Sequence, residues 1–150
     1  MRRRRLPEPF VYFVDECLGR HVVPDALKAA LEASERLVVM PQGTLDPDWI
    51  PLADKGGWTC FTKDRALSRM PNERRALLGA NAAIFMVGEA SGPVHADRIV
   101  RSLPVLRRIL RVHDVPLMAR IEADGVIVLL YERGERLPTP RRVRPKIRER

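Results

Sequence analysis

Phe10-Val11-Tyr12-Phe13-Val14 is apolar on both faces of an extended chain, the pattern of a buried parallel strand rather than a half-solvated one. A parallel strand constrains everything around it, because its neighbours are reached through crossovers and its two faces are covered by helices. The chain supplies such crossovers. From about His21 to Ala33, Val22, Val23, Ala26, Leu27, Ala30 and Leu31 recur at helical spacing, and Pro24 fits only in the first turn. Arg36–Met40 reads as a second short strand.

Gly43-Thr44-Leu45-Asp46-Pro47-Asp48-Trp49-Ile50 then reads as a loop entering a helix, with Asp46 as N-cap, Pro47 as first helical residue and Gly56-Gly57 as the stop. Pro51 is deep enough to shorten or distort that helix. Trp58–Thr62 is a third strand, Ala66–Met70 and Asn72–Leu78 are helical with Pro71 between them, and Ala82–Val87 is a fourth strand. Val94 to Val112 carries an apolar stripe of Ile99, Val100, Leu103, Leu106, Ile109 and Leu110, with a kink expected at Pro104. Leu117–Ala123 and Val126–Tyr131 flank Asp124-Gly125, a hairpin signal. Pro138, Pro140 and Pro145 predict an unstructured tail. The pattern is α/β with a mostly parallel sheet.

A length of 150 residues suits one domain with a sizeable core. No apolar run approaches the roughly 18 residues of a membrane span, and Met-Arg-Arg-Arg-Arg has no long apolar segment behind it, so a cytoplasmic chain without a secretory signal is expected. Cys17 and Cys60 then read as buried packing thiols rather than a disulfide. The net charge of +8 belongs to the ends. Setting aside the four arginines of residues 2–5 and the six basic residues and Glu149 of residues 141–150 leaves 17 basic against 18 acidic residues. The ends, with Arg141, Arg142 and Arg144 among them, read as phosphate-binding arms.

Chemistry is concentrated in three aspartates. Asp15 closes the first strand, Asp46 opens the helix after the second, and Asp64 follows the third, so all three fall at the loop ends of parallel strands. Glu16 and Asp48 can reach the same edge as direct or water-mediated ligands, and Glu73 fits solvent better than the site. Oxygen donors without a Cys/His cluster suit Mg²⁺ or Mn²⁺. Such carboxylates repel one another until a cation sits between them, so metal should stabilise the fold. Lys63, Arg65, Arg69, Arg74 and Arg75 surround Asp64 in sequence and suit a phosphate backbone crossing an acidic site. His21, His95 and His113 lack metal spacing, and no phosphate-loop, dinucleotide or nucleophile-elbow motif is present. Asp15 should raise the Cys17 thiol pKa rather than activate it. Trp49 and Trp58 read as core, with Trp49 the one placed to stack on a base.

Phe13-Val14-Asp15-Glu16-Cys17-Leu18, the Gly43–Ile50 segment and Phe61-Thr62-Lys63-Asp64-Arg65 together resemble the PIN-like nucleases, particularly their VapC-like toxin branch, over residues 10–131. The resemblance implies a three-layer α/β/α sandwich using Mg²⁺ or Mn²⁺ to cut RNA into 5′-phosphate and 3′-hydroxyl ends. It also implies a cognate antitoxin partner. By motif, Asp15, Asp46 and Asp64 match the family's aspartates and Glu16 its adjacent acid. The family also places a glutamate on an intervening helix, for which Glu32 and Glu35 are available without a motif around either. The expected layout is a basic arm over residues 1–9, the nuclease domain over 10–131 and a basic tail over 132–150. The long helix from Val94 offers a face for a homodimer. The alternative is a catalytically degenerate module that binds nucleic acid or protein.

Overall fold

The computed structural model describes residues 5–63 and 71–146, apart from the side chains of Asp46, Pro47 and Glu73. Its strands are β1 (Val11–Val14), β2 (Arg36–Val38), β3 (Thr59–Thr62), β4 (Ala83–Met86), β5 (Leu117–Ile121), β6 (Ile127–Glu132) and β7 (Glu135–Val143). They form one sheet in the order β2-β1-β3-β4-β5-β6-β7. The first five are parallel, and β6 and β7 are antiparallel additions. The described helices are α1 (Val22–Ala30), α2 (Asp46–Gly56), α3 (Pro71–Leu78) and α4 (Gly92–Val112). This is the mixed α/β, mostly parallel architecture of a three-layer sandwich.

The run Phe10–Val14 is apolar throughout because β1 is covered on both sides. Tyr12 points, with Phe61 and Phe85, into a core closed by Val23 and Leu27 of α1 and Ile99, Leu103 and Leu106 of α4. Phe13 points the other way, with Cys60 and Ile84, toward Trp49, Ile50 and Ala53 of α2 and Leu77 of α3. Its ring centroid lies 4.8 Å from that of Trp49 and 5.3 Å from that of Trp58. Trp49 is therefore core and no stacking platform. Each such side chain contributes about 1.5–3 kcal/mol by leaving water.

Helix α2 starts at Asp46, with Leu45 rather than Asp46 in the cap position (φ −90°, ψ 160°), and it stops where Gly57 turns left-handed (φ 65°). It runs through Pro51, and α4 likewise runs through Pro104. Helix α4 begins at Gly92, where the Ser91 hydroxyl accepts from the Val94 amide at 3.4 Å. Its apolar stripe is buried against its own sheet, leaving charged residues such as Asp97, Arg101 and Arg111 outward. No helix among the described residues is long and apolar enough to cross a membrane.

The chain ends depart from expectation. Residues 135–143, expected to be unstructured, are strand β7, paired with β6 from Glu132↔Glu135 to Ile127↔Val143. Pro138 and Pro140 are tolerated because an edge strand need not donate on its outer side. Beyond it Arg108 Nη2 donates to the Arg144 carbonyl at 2.6 Å. At the other end Leu6 is buried, Arg5 lies 3.7 Å from Asp114, and Arg111 lies 3.2 Å from Glu8. Residues 5–9 are thus folded onto the body rather than projecting as an arm.

Candidate active site at the carboxyl edge of the sheet

After β1 the chain crosses through α1 to β2 on one side, whereas β3 pairs on the other. Strand order reverses at β1, so the crevice beyond the carboxyl ends of β1 and β3 is the topological switch point, where open α/β sheets bind their ligands. Asp15 is the first residue beyond β1. Its N–H donates to the Phe61 carbonyl at 2.9 Å, carrying the ladder one step past the strand. The register Val14↔Phe61 brings the next β3 residue, Thr62, level with Asp15, and the Thr62 hydroxyl donates to Asp15 Oδ2 at 2.7 Å. Asp15 is 7% exposed. A carboxylate so buried is costly unless hydrogen-bonded or coordinated, and the Thr62 hydroxyl meets one oxygen without bringing a positive charge of its own. Thr62 is a site residue that composition and spacing alone do not single out. Its signal was the Thr-Lys-Asp sequence combined with parallel register.

A 3₁₀ turn, Glu16–Leu18, follows. The Glu16 carboxylate accepts from the Gly43 N–H at 3.0 and 3.2 Å and from Arg20 at 3.1 Å, tying the 41–45 loop to the turn. Gly43 sits at φ +83°, a conformation that L side chains rarely adopt. Asp15 and Glu16 share a cleft of about 180 Å³ with residues of α1 and the end of β2. On the far side of the turn a second cleft, about 360 Å³, is lined by residues including Cys17, Arg20, His21, Lys63 and His95. Lys63 Nζ lies 3.9 Å from Glu89. His95, buried, has Nε2 2.8 Å from the Gly88 carbonyl, a structural contact.

Cys17 is exposed rather than buried as a residue, yet its sulfur lies 3.4 Å from the Thr62 hydroxyl. Desolvation of the thiol, and then the Asp15 charge, push its pKa up to about 11, so it is no thiolate nucleophile near neutral pH. Cys60 is fully buried and pushed up by the same two causes, and both cysteines are free.

The remaining predicted site residues divide sharply. Asp64, Arg65 and Arg69 lie outside the described residues, as does the Asp46 side chain. Asp48 is exposed on the first turn of α2 and does not line the Asp15 cleft. Among the described residues no three His, Cys, Asp or Glu side chains gather into a metal site. Arg74 and Arg75 line a separate groove with Leu78 and Gly134, and Gly134 donates to Pro116 just ahead of β5, at the opposite end of the sheet. On β7, Arg142 is paired with Glu122 at 2.5 Å. That strand lies five strand spacings from β1, roughly 24 Å away.

Glu35, a candidate for the family's intervening glutamate, is placed just before β2, at the end of the sheet away from Asp15. Arg107 grips it with two hydrogen bonds, 2.7 and 3.0 Å, and the Tyr12 hydroxyl donates to it at 2.8 Å. Glu32 lies beside the same guanidinium at 3.8 Å. Neither reaches the Asp15 cleft. Burial pulls the Glu35 pKa up, but hydrogen bonds from Arg107, the Glu32 N–H and Tyr12 outweigh it and hold the carboxyl below its ordinary value.

A family model described as a PIN like domain matches residues 10–89. The chain belongs to the PIN-like domain family. Proteins with this domain are generally nucleases, a class of hydrolases. The match takes in β1 to β4 and Asp15, Asp46 and Asp64, and it ends before α4. No curated protein matches the chain. No solved structure matches it.

Proposed function

We propose that this PIN-like protein is a metal-dependent endoribonuclease centred on Asp15. The observation that carries the reading is the burial of the Asp15 carboxylate at the β1/β3 switch point, one oxygen oriented by Thr62. A fixed, hard oxygen donor at that position fits Mg²⁺ or Mn²⁺, with Asp46 and Asp64 as the other family-matched ligands, Glu16 as a further oxygen donor, and Asp48, outside the cleft, reaching the metal only through water. When bound, the metal supplies an activated water and neutralises charge developing on a phosphodiester. The protein's part is to hold that oxygen still, through Thr62 and the Phe61 carbonyl, and to gather phosphate around it. Arg20, which borders both clefts, Lys28 in the Asp15 cleft and Lys63 in the neighbouring one are described cations available for that task. Arg65 and Arg69, close to Asp64 in sequence, would extend the basic track, and Arg74, Arg75, Arg141, Arg142 and Arg144, set away from the Asp15 cleft, would serve as distant phosphate contacts.

Within the family, the Asp15-Glu16 and Thr62-Lys63-Asp64 sequences favour the VapC-like branch, so the protein would be the toxin of a pair silenced by a small antitoxin. Val39 and Leu45, 71% and 65% exposed, give a partner apolar surface near the centre. The test is incubation of total RNA with purified protein and Mg²⁺, Mn²⁺ or EDTA, beside Asp64→Asn. Metal-dependent cutting that the variant loses supports the nuclease. Folded, partner-free wild type that cuts no RNA with either metal overturns it in favour of a binding module.

A further inference from the structure

We propose that the cleft beside Asp15 seats a single nucleobase, guanine or cytosine, of the strand being cut; this rests on the nuclease reading above. The cleft holds about 180 Å³. An apolar cavity of about 150 Å³ already takes a six-membered aromatic ring, whereas a drug-sized ligand needs roughly 300–1,000 Å³. Its walls include Pro24, Leu37, Val38, Val39, Met40 and Pro41, apolar surface against which a flat ring can pack. Single-stranded RNA is recognised through bases splayed out into such seats and read along their polar edges.

The polar groups at the rim suit one kind of edge. Asp25 and Lys28, one turn apart on α1, both line the cleft and are exposed. Neither side chain has a hydrogen bond or ion pair among the described residues. Asp25 can accept from an exocyclic amine, and Lys28 can donate to a carbonyl oxygen. Guanine and cytosine carry both groups, uracil lacks the amine, and adenine lacks the carbonyl. The opposite requirement, a scissile phosphate beside the seated base, is met by geometry. Asp15 lines the same cleft, and Arg20, fixed by Glu16, stands between this cleft and the one holding Lys63. A strand whose base enters the first cleft would therefore pass its phosphate over Asp15.

The probes are the four ribonucleoside 5′-monophosphates, titrated in EDTA against the full chain and followed by amide chemical shifts and calorimetry. GMP and CMP should shift residues 37–41 and Lys28 and bind more tightly than UMP and AMP. Asp25→Ala should weaken them about tenfold or more. Val39→Trp, a change at an exposed position, should block the cleft to a similar degree. Failure of all four to bind, or equal binding of all four that neither variant alters, overturns the seat. Asp15→Asn separates the two readings. It should retain GMP and CMP binding while losing RNA cleavage, and wild type that binds GMP but never cuts RNA leaves the seat standing while removing the nuclease. Wild type that cuts RNA with a base preference unmoved by Val39→Trp and Asp25→Ala removes the seat and leaves the nuclease.

Discussion

Glu35 and Asp15 lie at the two ends of the parallel sheet and are set up differently. Where the strands begin, Glu35, its side chain 2% exposed, is locked by Arg107 and Tyr12, and Asp114 accepts from Arg133 at 2.6 Å with Arg5 beside it. Leu6 and residues 5–9 close over that end. Where the strands finish, Asp15 is met by the Thr62 hydroxyl, and two clefts open on either side of the turn that follows it. Glu35 and Asp114 at the first end are braces held by guanidinium groups, as Glu16 is by Arg20 at the second. Asp15 at the second end is oriented toward a crevice. Strand direction separates Asp15 from those braces, because the carboxyl ends at the switch point leave a crevice where open sheets bind ligands.

The largest test of this contrast is Asp15→Asn. Changes to groups around metal ligands typically cost 10–100-fold, so the amide replacing a ligand should lower RNA cleavage by at least about 100-fold. Its thermal midpoint should stay close to wild type. An unfolded variant would make Asp15 a brace like Glu35. Arg107→Ala reverses the pattern. Leaving the Glu35 charge buried should cost about 3 kcal/mol, read as a lower urea midpoint, with cleavage per folded molecule unchanged.

The same pair fixes a pH signature. Glu35 has a folded pKa below its ordinary value of 4.5, so its contribution is complete at neutral pH. It is lost as pH falls from about 4.5 through the lower folded value, and urea midpoints of wild type and Arg107→Ala should converge across that acid window. A difference that persists unchanged at the lowest pH would show that the Arg107 effect is packing alone.

A smaller effect belongs to Thr62→Val, which keeps shape and removes the donor to Asp15. A loss of roughly 10-fold in cleavage with little change in fold is expected, and unaltered cleavage would make the Thr62 bond incidental. The smallest concerns β7. Replacing Arg141, Arg142 and Arg144 together by Ala should shift stability by no more than about 0.5 kcal/mol per site. If the edge touches RNA, the slope of log affinity against log salt should become shallower by roughly 0.7 for each phosphate no longer neutralised, and an unchanged slope would make β7 a bystander.

Much of this architecture was legible because burial on both faces writes itself into sequence. Val11–Val14 and Ala83–Met86 are continuous apolar runs, and Asp124-Gly125 (φ 60° and 77°) turns the β5–β6 hairpin as its dipeptide predicts. Strand β7 was hidden because Pro138 and Pro140 read as breakers unless one knows that the strand is an edge. The Glu35 brace was hidden for a different reason. Its partner Arg107 is 72 residues away, and only packing of α4 against the start of β2 brings them together. Asp15 was legible from the abrupt end of an apolar run, whereas its orientation by Thr62 depended on a parallel register set by tertiary structure.

The most direct measurement is calorimetric titration of Mn²⁺ into the wild-type chain and into Asp15→Asn, with thermal midpoints recorded in parallel. Mn²⁺ should bind the wild type and raise its midpoint, and the variant should lose both effects. Equal binding and equal stabilisation in the two proteins would contradict an Asp15-centred metal site.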